Sequence, residues 1–487
     1  MAILIVVDNP AKWRFAIDGV DVVDARSYLI GPDYSDMRGA KVINLCRAYA
    51  YQTTGYYVSL LAEARGHKPL PSVTTIQDMK SQAFVRLVSE DLDTLIQRSL
   101  APIQSDKFTL SIYFGRNIAK RYERLSLRLF NLFQAPLIRV QFSRNGKWQI
   151  RGVAAVATSD VPDSHAEFLV EAAREHFAGR NRRMPRRART RYDLAVLHNP
   201  AEDNPPSDER ALKKFEKAAG ALGLSCERIT RDDYARLAEF DALFIRETTY
   251  VNHHTYRFAR RAASEGLVVI DDPDSIVRCT NKVFLAELLR RHRLPMPNTM
   301  VVHRGNVDAV PAELGLPCVL KKPDSAFSLG VVKVDTQEEL NDQLKRLLAE
   351  SELVIAQGFL PTTFDWRIGI LDRRPLYACK YFMAAGHWQI MKHDGQKTRY
   401  GRWETIPVEL APRPAVRAAL KAANLIGDGL YGVDVKESNG GFFIIEINDN
   451  PNIEAGVEDS VLRDDLYNRI MSVFINRIEQ RKSGYLP

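Results

Sequence analysis

No stretch of this 487-residue chain approaches 18 consecutive uncharged apolar residues, which excludes a membrane-spanning helix. Cysteine is sparse: Cys46, Cys226, Cys279, Cys318 and Cys379 are odd in number and never stand as Cys-x-x-Cys. That excludes a disulfide framework and a cysteine zinc site, and it is the usage of a reduced, cytoplasmic protein. The N-terminus, MAILIVVDNP, lacks the basic stretch of a signal peptide and reads as a buried strand ending in an Asn-Pro turn. No low-complexity tract and no internal repeat is visible. There is no Walker A motif, so a P-loop nucleotide site is unsupported. No Ser-His or Cys-His constellation marks a nucleophilic enzyme.

What is present is an ordinary globular composition, 45% hydrophobic and 26% charged, in a chain long enough for about three domains. The formal net charge is +8, from 68 Lys+Arg against 60 Asp+Glu. Seven arginines between Arg180 and Arg191, with no acid among them, account for nearly all of it. The basic character is local, and a general nucleic-acid surface is not implied. The segment GRNRRMPRRARTRY repels itself and is poor in apolar residues, so 179–191 is expected to be a solvated linker. The alternative is an arm that docks on RNA, a ribosome or an acidic protein.

Residues 1–178 read as a complete α/β domain without a catalytic motif. Ile118, Tyr122, Leu125, Leu129 and Leu132 recur at steps of four and three, which predicts one helix stopped before Pro136. Apolar runs at 137–142 and 148–153 flank Asn145-Gly146, a hairpin signal. Tyr56, Tyr57, His67 and Lys68 fall in GYYVSLLAEARGHK, most of which a packed amphipathic helix explains. Beyond the linker, short apolar strands at 194–197, 225–229, 242–245 and 268–270 alternate with helices. That is the pattern of a small parallel sheet covered on both faces, over 192–274. A larger α/β region, 275–487, opens with a helix carrying Lys282, Leu285, Leu288 and Leu289.

The chemistry concentrates in this last region. In YGVDVKESNGGFFIIEINDNPNI two strands flank a Ser-Asn-Gly-Gly turn. Simple alternation puts Phe442, Ile444, Glu446 and Asn448 on one face, with Asp434 beside them across the hairpin. Buried carboxylates need neutralising, and a hard divalent cation with oxygen ligands does that; a solvent-exposed strand end is the alternative. Lys321 ends a strand before a small-residue loop, a place from which an amine can bridge phosphates, although a plain hairpin with surface lysines reads equally well. Gln357-Gly358-Phe359 forms a hinge whose backbone could read an adenine edge. Asp365 and Arg367 stand two apart on one strand face, suited to ribose hydroxyls and an anionic oxygen. Gly427-Asp-Gly-Leu-Tyr-Gly432 fits G-x-G-x-x-G, but it follows a helical stretch and opens a strand, the reverse of a dinucleotide fingerprint.

Taken in order, Asn281-Lys282, Val319-Leu320-Lys321, Gln357 with its hinge, Asp365-Trp366-Arg367, Gly432-Val433-Asp434 and Glu446-Ile447-Asn448 resemble the ATP-grasp superfamily. Within it they are most similar to the RimK-type glutamate ligases, over about 271 to the C-terminus. The block at 192–274 sits where that family has its pre-ATP-grasp domain. Residues 1–178 resemble the extra N-terminal domain of one RimK-like subgroup. The resemblance implies an α/β protein: an ATP-grasp fold preceded by a small parallel-sheet pre-ATP-grasp domain and an additional N-terminal α/β domain. It implies that Lys282 and Lys321 hold ATP phosphates, that Gln357, Gly358 and Phe359 line the adenine pocket, and that Asp365 binds ribose. Asp434, Glu446 and Asn448 would hold Mg²⁺ (or Mn²⁺), and Arg367 would face the reacting carboxylate and phosphate. Two departures stand out: the loop after Lys321 is poor in glycine, and Gln389-Ile390-Met391 replaces the family's Arg-x-Asn.

The activity so implied is ATP-dependent carboxylate–amine ligation through an acyl phosphate, releasing ADP and phosphate. Glutamate or a relative is the expected donor, and an amino acid, peptide or protein terminus the acceptor. Two other readings are an ATP-grasp kinase that stops at phosphoryl transfer and an RNA- or ribosome-docking protein using the arginine run. A cytoplasmic homo-oligomer is expected, with no membrane partner and no nucleic-acid partner.

Overall fold

In the computed structural model, residues 2–17, 19–35, 37, 39–178, 191–324, 330–394 and 397–482 are described. They fall into two compact units, Met1–Arg187 and Ala188–Pro487. Most of the arginine run and of the loop after Lys321 lies outside the described residues. No described helix is long and apolar enough to cross a membrane.

The first unit opens with a four-stranded parallel sheet of Ile3–Val7, Asp21–Asp24, Lys41–Asn44 and Lys68–Leu70, in the order second, first, third, fourth. Both faces are apolar because both are covered. Leu4, Val6 and Val42 pack on one side with Val58 and Ala62 of the helix Thr54–Ala64. Ile5, Val7 and Ile43 pack on the other with Leu169 and Ala173 of the helix Ala166–Ala178. An antiparallel sheet of Lys107–Tyr113, Leu137–Asn145 and Lys147–Ala155 follows. Its last hairpin turns at Gly146, whose φ of +76° suits glycine. The helix predicted from Ile118 begins instead at Glu123, and Ile118 is exposed. Its first turn would have put Lys120 and Arg121 at the positive helix end, whereas a start at Glu123 puts an acid there. His67 is structural: Tyr28 Oη and the Met37 carbonyl flank its two ring nitrogens at 2.8 Å each.

The second unit also opens with a parallel sheet, Tyr192–Leu197, Leu224–Ile229, Ala242–Ile245 and Val268–Ile270, again in the order second, first, third, fourth. The expectation of no internal repeat is therefore overturned. The third strands recur at an offset of 201 residues, and the elements after them at an offset of 200. Helices Thr54–Ala64, Val73–Lys80 and Gln82–Asp91 match His254–Ser264, Pro273–Thr280 and Lys282–Arg291. Gly66 and Gly266 both end a helix with positive φ. Ser72 and Asp272 cap the next helix, and Ser81 and Asn281 the one after. Over 54–91 the two copies are identical only at Tyr56/Tyr256, Ala62/Ala262, Gly66/Gly266, Ile76/Ile276 and Phe84/Phe284. Elsewhere the core keeps apolar character but changes shape, as at Val58/Phe258 and Val85/Leu285, which leaves little to recognise by identity.

The helix expected from 275 through Leu289 is two helices, broken at Asn281. Its Oδ1 accepts from the Val283 and Phe284 amides, capping the second. Two antiparallel sheets follow. One orders Thr299–Val302, Val354–Gly358, Cys318–Lys321 and Val331–Val334. The other orders Trp403–Ile406, Arg374–Phe382, Phe364–Leu371, Leu430–Ser438 and Gly441–Asn448. The larger sheet packs one face on Leu285, Leu289, Ala419 and Ala423. The opening parallel sheet shares a core with Tyr377, Tyr467 and Phe474, so 274/275 lies within one packed unit.

The strand Gly441–Asn448 does not alternate simply. Asp434 pairs with Glu446, but Val435 pairs with Ile444, so Ile445 is an extra residue in a β-bulge. Ile444 and Ile447 both enter the core, and Ile444 does not share a face with Glu446. The bulge turns the carboxylate end of the strand away from the apolar side.

Candidate active site

Of the residues singled out in the sequence, Asp365, Arg367, Asp434, Glu446 and Asn448 lie on the face opposite that core, and Lys282 reaches it from its helix. Lys282 is the first residue of its helix, placed by the Asn281 cap, and it is buried. Its Nζ lies 3.1 Å from Glu446 Oε1. Glu446 stands opposite Asp434 across the hairpin. Asp434 in turn receives Nε and Nη2 of Arg367, at 2.7 and 2.8 Å, in the planar fork that suits a carboxylate. Asn448 Nδ2 reaches Asp434 Oδ2 at 3.3 Å. Asp365 accepts from Lys436 Nζ at 2.6 Å and Thr362 Oγ1 at 2.9 Å. Lys282–Glu446 and Arg367–Asp434 form neighbouring ion pairs on one patch of sheet, and Lys436–Asp365 adds a third.

Alternation sends the two adjacent lysines apart. Lys321 is buried and donates to Gln357 Oε1 at 2.8 Å, whereas Lys322 turns to Glu350, also at 2.8 Å. Burial holds Lys321 down to about 8; Lys282 and Lys436 push the same way, and Glu446 and Asp365 oppose them. Burial also pushes the Asp434 carboxyl up against the pull of Arg367, with Glu446 and Asp365 adding to the rise. Burial would raise Glu446 too, but Lys282 and Lys321 more than offset it and its carboxyl sits below the usual range.

The hinge is more constrained than its sequence suggested. Gln357 is tied to Lys321 and, through Nε2, to Thr299 Oγ1 at 2.9 Å. The Gly358 and Phe359 amides donate to the Asn298 and Pro317 carbonyls. The Phe359 ring meets Trp388 edge-on and lies under Lys333 Nζ.

Sequence reasoning missed three residues. Lys436 shares a strand face with Asp434, two positions on, which alternation could have revealed. Arg246 is wholly buried, and its guanidinium donates to Ser207 Oγ, Asn450 Oδ1 and the carbonyls of Pro206 and Pro451. It fastens the segment just after Asn448 to the end of the parallel sheet. Asp449, bonded to Thr249 Oγ1 at 2.8 Å, is pushed up to about 7 by burial. The run Asn448-Asp449-Asn450, polar where the strand ends, was the available signal.

The family described as the RimK-like ATP-grasp domain matches residues 279–464, and the RimK-like ATPgrasp N-terminal domain matches residues 25–172. The chain belongs to the RimK-like ATP-grasp family. It is an ATP-grasp ligase, and ATP is its nucleotide. A probable alpha-L-glutamate ligase of Syntrophotalea carbinolica is 25% identical over 232 residues, 47% of this chain and 74% of that protein. Among solved structures, a RimK domain ATP-grasp protein from Sphaerobacter thermophilus is 18% identical, covering 57% of this chain and 98% of its own, with a TM-score of 0.44. D-alanine–D-alanine ligase from Bacillus anthracis is 14% identical, covering 60% and 99%, with a TM-score of 0.46.

Proposed function

We propose that this ATP-dependent amide ligase joins a substrate carboxylate to an amine through an acyl phosphate, with glutamate or a close relative as the amino acid added. The observation that supports it is the joined row Lys282–Glu446 and Asp434–Arg367 beside Lys321. A carboxylate oxygen attacks the γ-phosphorus, the bond to the β-phosphate oxygen breaks, and ADP leaves. The amine nitrogen then attacks the acyl carbon and phosphate departs. The first step brings two anions together, so its barrier is chiefly electrostatic.

Lys282 and Lys321 would hold the phosphates. A phosphate near Lys321 would favour its charged form, which burial disfavours. Arg367, oriented by its two bonds to Asp434, would meet the reacting oxygens. Asp365 would be available to ribose hydroxyls when Lys436 yields. Asp434, Glu446 and Asn448 suit a hard cation, since they gather oxygen donors in a place where burial and neighbouring acids raise Asp434. Mg²⁺ or Mn²⁺ there would neutralise phosphate charge. The test incubates the protein with ATP and pairs of amino acids or peptides, reading ADP, free phosphate and product mass. Amide product with one ADP and one phosphate supports ligation. ADP with a phosphorylated product and no amide would replace it with a kinase.

A further inference from the structure

At the strand-end edge of the parallel sheet in the second unit, Glu247 follows Ala242–Ile245, and His253 and His254 open the helix His254–Ser264. Their ligand atoms all lie within 4.8 Å of one another. We propose that Glu247, His253 and His254 form a transition-metal site, of the kind that takes Zn²⁺ or Co²⁺, distinct from the Asp434–Glu446–Asn448 group.

Four observations converge on it. Glu247 is 2% exposed, and its Oε2 has no hydrogen-bond partner among the described residues. A buried carboxylate oxygen left so is costly unless a cation meets it. His254 Nε2 stands 2.8 Å from Glu247 Oε1 without the angle of a hydrogen bond, so the two groups face each other with no bond that a cation would have to break. His253 Nδ1 lies 3.0 Å from Thr255 Oγ1, and that hydroxyl donates onward to the Thr248 carbonyl. Thr255 therefore accepts from Nδ1–H, which leaves Nε2 unprotonated; metal-binding imidazoles are oriented in this way. Ligands bonded at 2.0–2.2 Å in a tetrahedron sit roughly 3.3 Å apart, a small side-chain adjustment from the spacing present. Two imidazoles and one carboxylate leave a position open for water or a substrate group.

The matching segment of the first unit lacks this set. Thr53 and Thr54 stand where His253 and His254 do, and residues 45–49 contain no acid. The shared scaffold does not require these ligands.

The test strips the full-length protein with a chelator, saturates it with Co²⁺, removes excess by gel filtration, and reads bound cobalt and its visible d–d absorption. One equivalent should remain in the native chain and in Glu446→Gln, and be lost in His253→Ala/His254→Ala. Thr255→Val should weaken it about 10–100-fold by freeing the His253 ring. If the double variant misfolds by circular dichroism, Glu247→Gln replaces it and should lose the cobalt. Retention no greater in the native chain than in these variants overturns the proposal. So does a signal lost in Glu446→Gln alone, which would place the cobalt at the other group.

Discussion

The two parallel-sheet modules share strand order, helix spans, caps and a glycine helix stop, yet they differ where their strands end. The amide of Leu45 donates to the Val6 carbonyl as that of Arg246 does to Leu197. Leu45 lies in an apolar core, whereas Arg246 carries four side-chain bonds. Gln82 occupies the helix position of Lys282, and Pro71 that of Asp271. Capping, helix stops and apolar faces specify the scaffold, and they leave the strand ends free to vary. Of the two copies, it is the second that carries residues proposed for the site.

The largest effect expected along this comparison comes from Lys282→Gln, which gives the second copy the first copy's residue. It should lower kcat/KM about 10²–10³-fold, the size of losing one preorganised electrostatic group, while circular dichroism stays unchanged. Glu446→Gln, its partner, should act similarly. Ordinary turnover in either would remove that residue from the site. Gln82→Lys should leave nucleotide affinity as it is.

Arg246→Leu makes the second copy resemble the first at its strand end. It leaves two proline carbonyls and the Asn450 amide oxygen without donors. Destabilisation of about 2–4 kcal/mol in urea unfolding is expected, since each such buried group costs about 1–3 kcal/mol. A stable, fully active variant would show that the 449–451 segment needs no anchor.

Lys321 sharpens the comparison through pH. Held near 8, it loses its proton as pH rises through that value, so affinity for a non-hydrolysable ATP analogue should fall by up to about tenfold per pH unit above 8. Binding should take up a proton, seen as buffer-dependent heat. Stability from the same group runs the other way. The unfolded lysine keeps its proton to about 10.5, so folding grows more favourable as pH rises from 8 to 10.5. Lys321→Ala should abolish both trends, and Lys322→Ala neither. A flat profile in the native chain would mean that Lys321 does not meet the phosphates.

The smallest effect is expected at the arginine run between the units. Ser/Gln substitution there should leave stability within about 0.5 kcal/mol and small-substrate turnover unchanged. Loss of turnover in a folded variant would make the run part of the site. A raised KM only for a large anionic partner, with weaker salt dependence, would make it a docking arm.

Much of this was determined by the sequence alone. Strands 242–245 and 268–270 and the 145–146 turn are local matters, decided by apolar runs and glycine. The residues proposed for the site were singled out because short motifs in a fixed order carry them. Three things were decided only by tertiary structure. The repeat is held in core shape and cap position, with five identities over 54–91, so its signal lies in packing. The bulge at Ile445 exists because Ile444 and Ile447 both reach the same core, and a strand read by strict alternation cannot show it. The ion pairs join Lys282 to Glu446 and Arg367 to Asp434 across 164 and 67 residues of chain. Charges so far apart in sequence find one another only when a sheet and a capped helix bring them out of water together, and burial then sets their protonation.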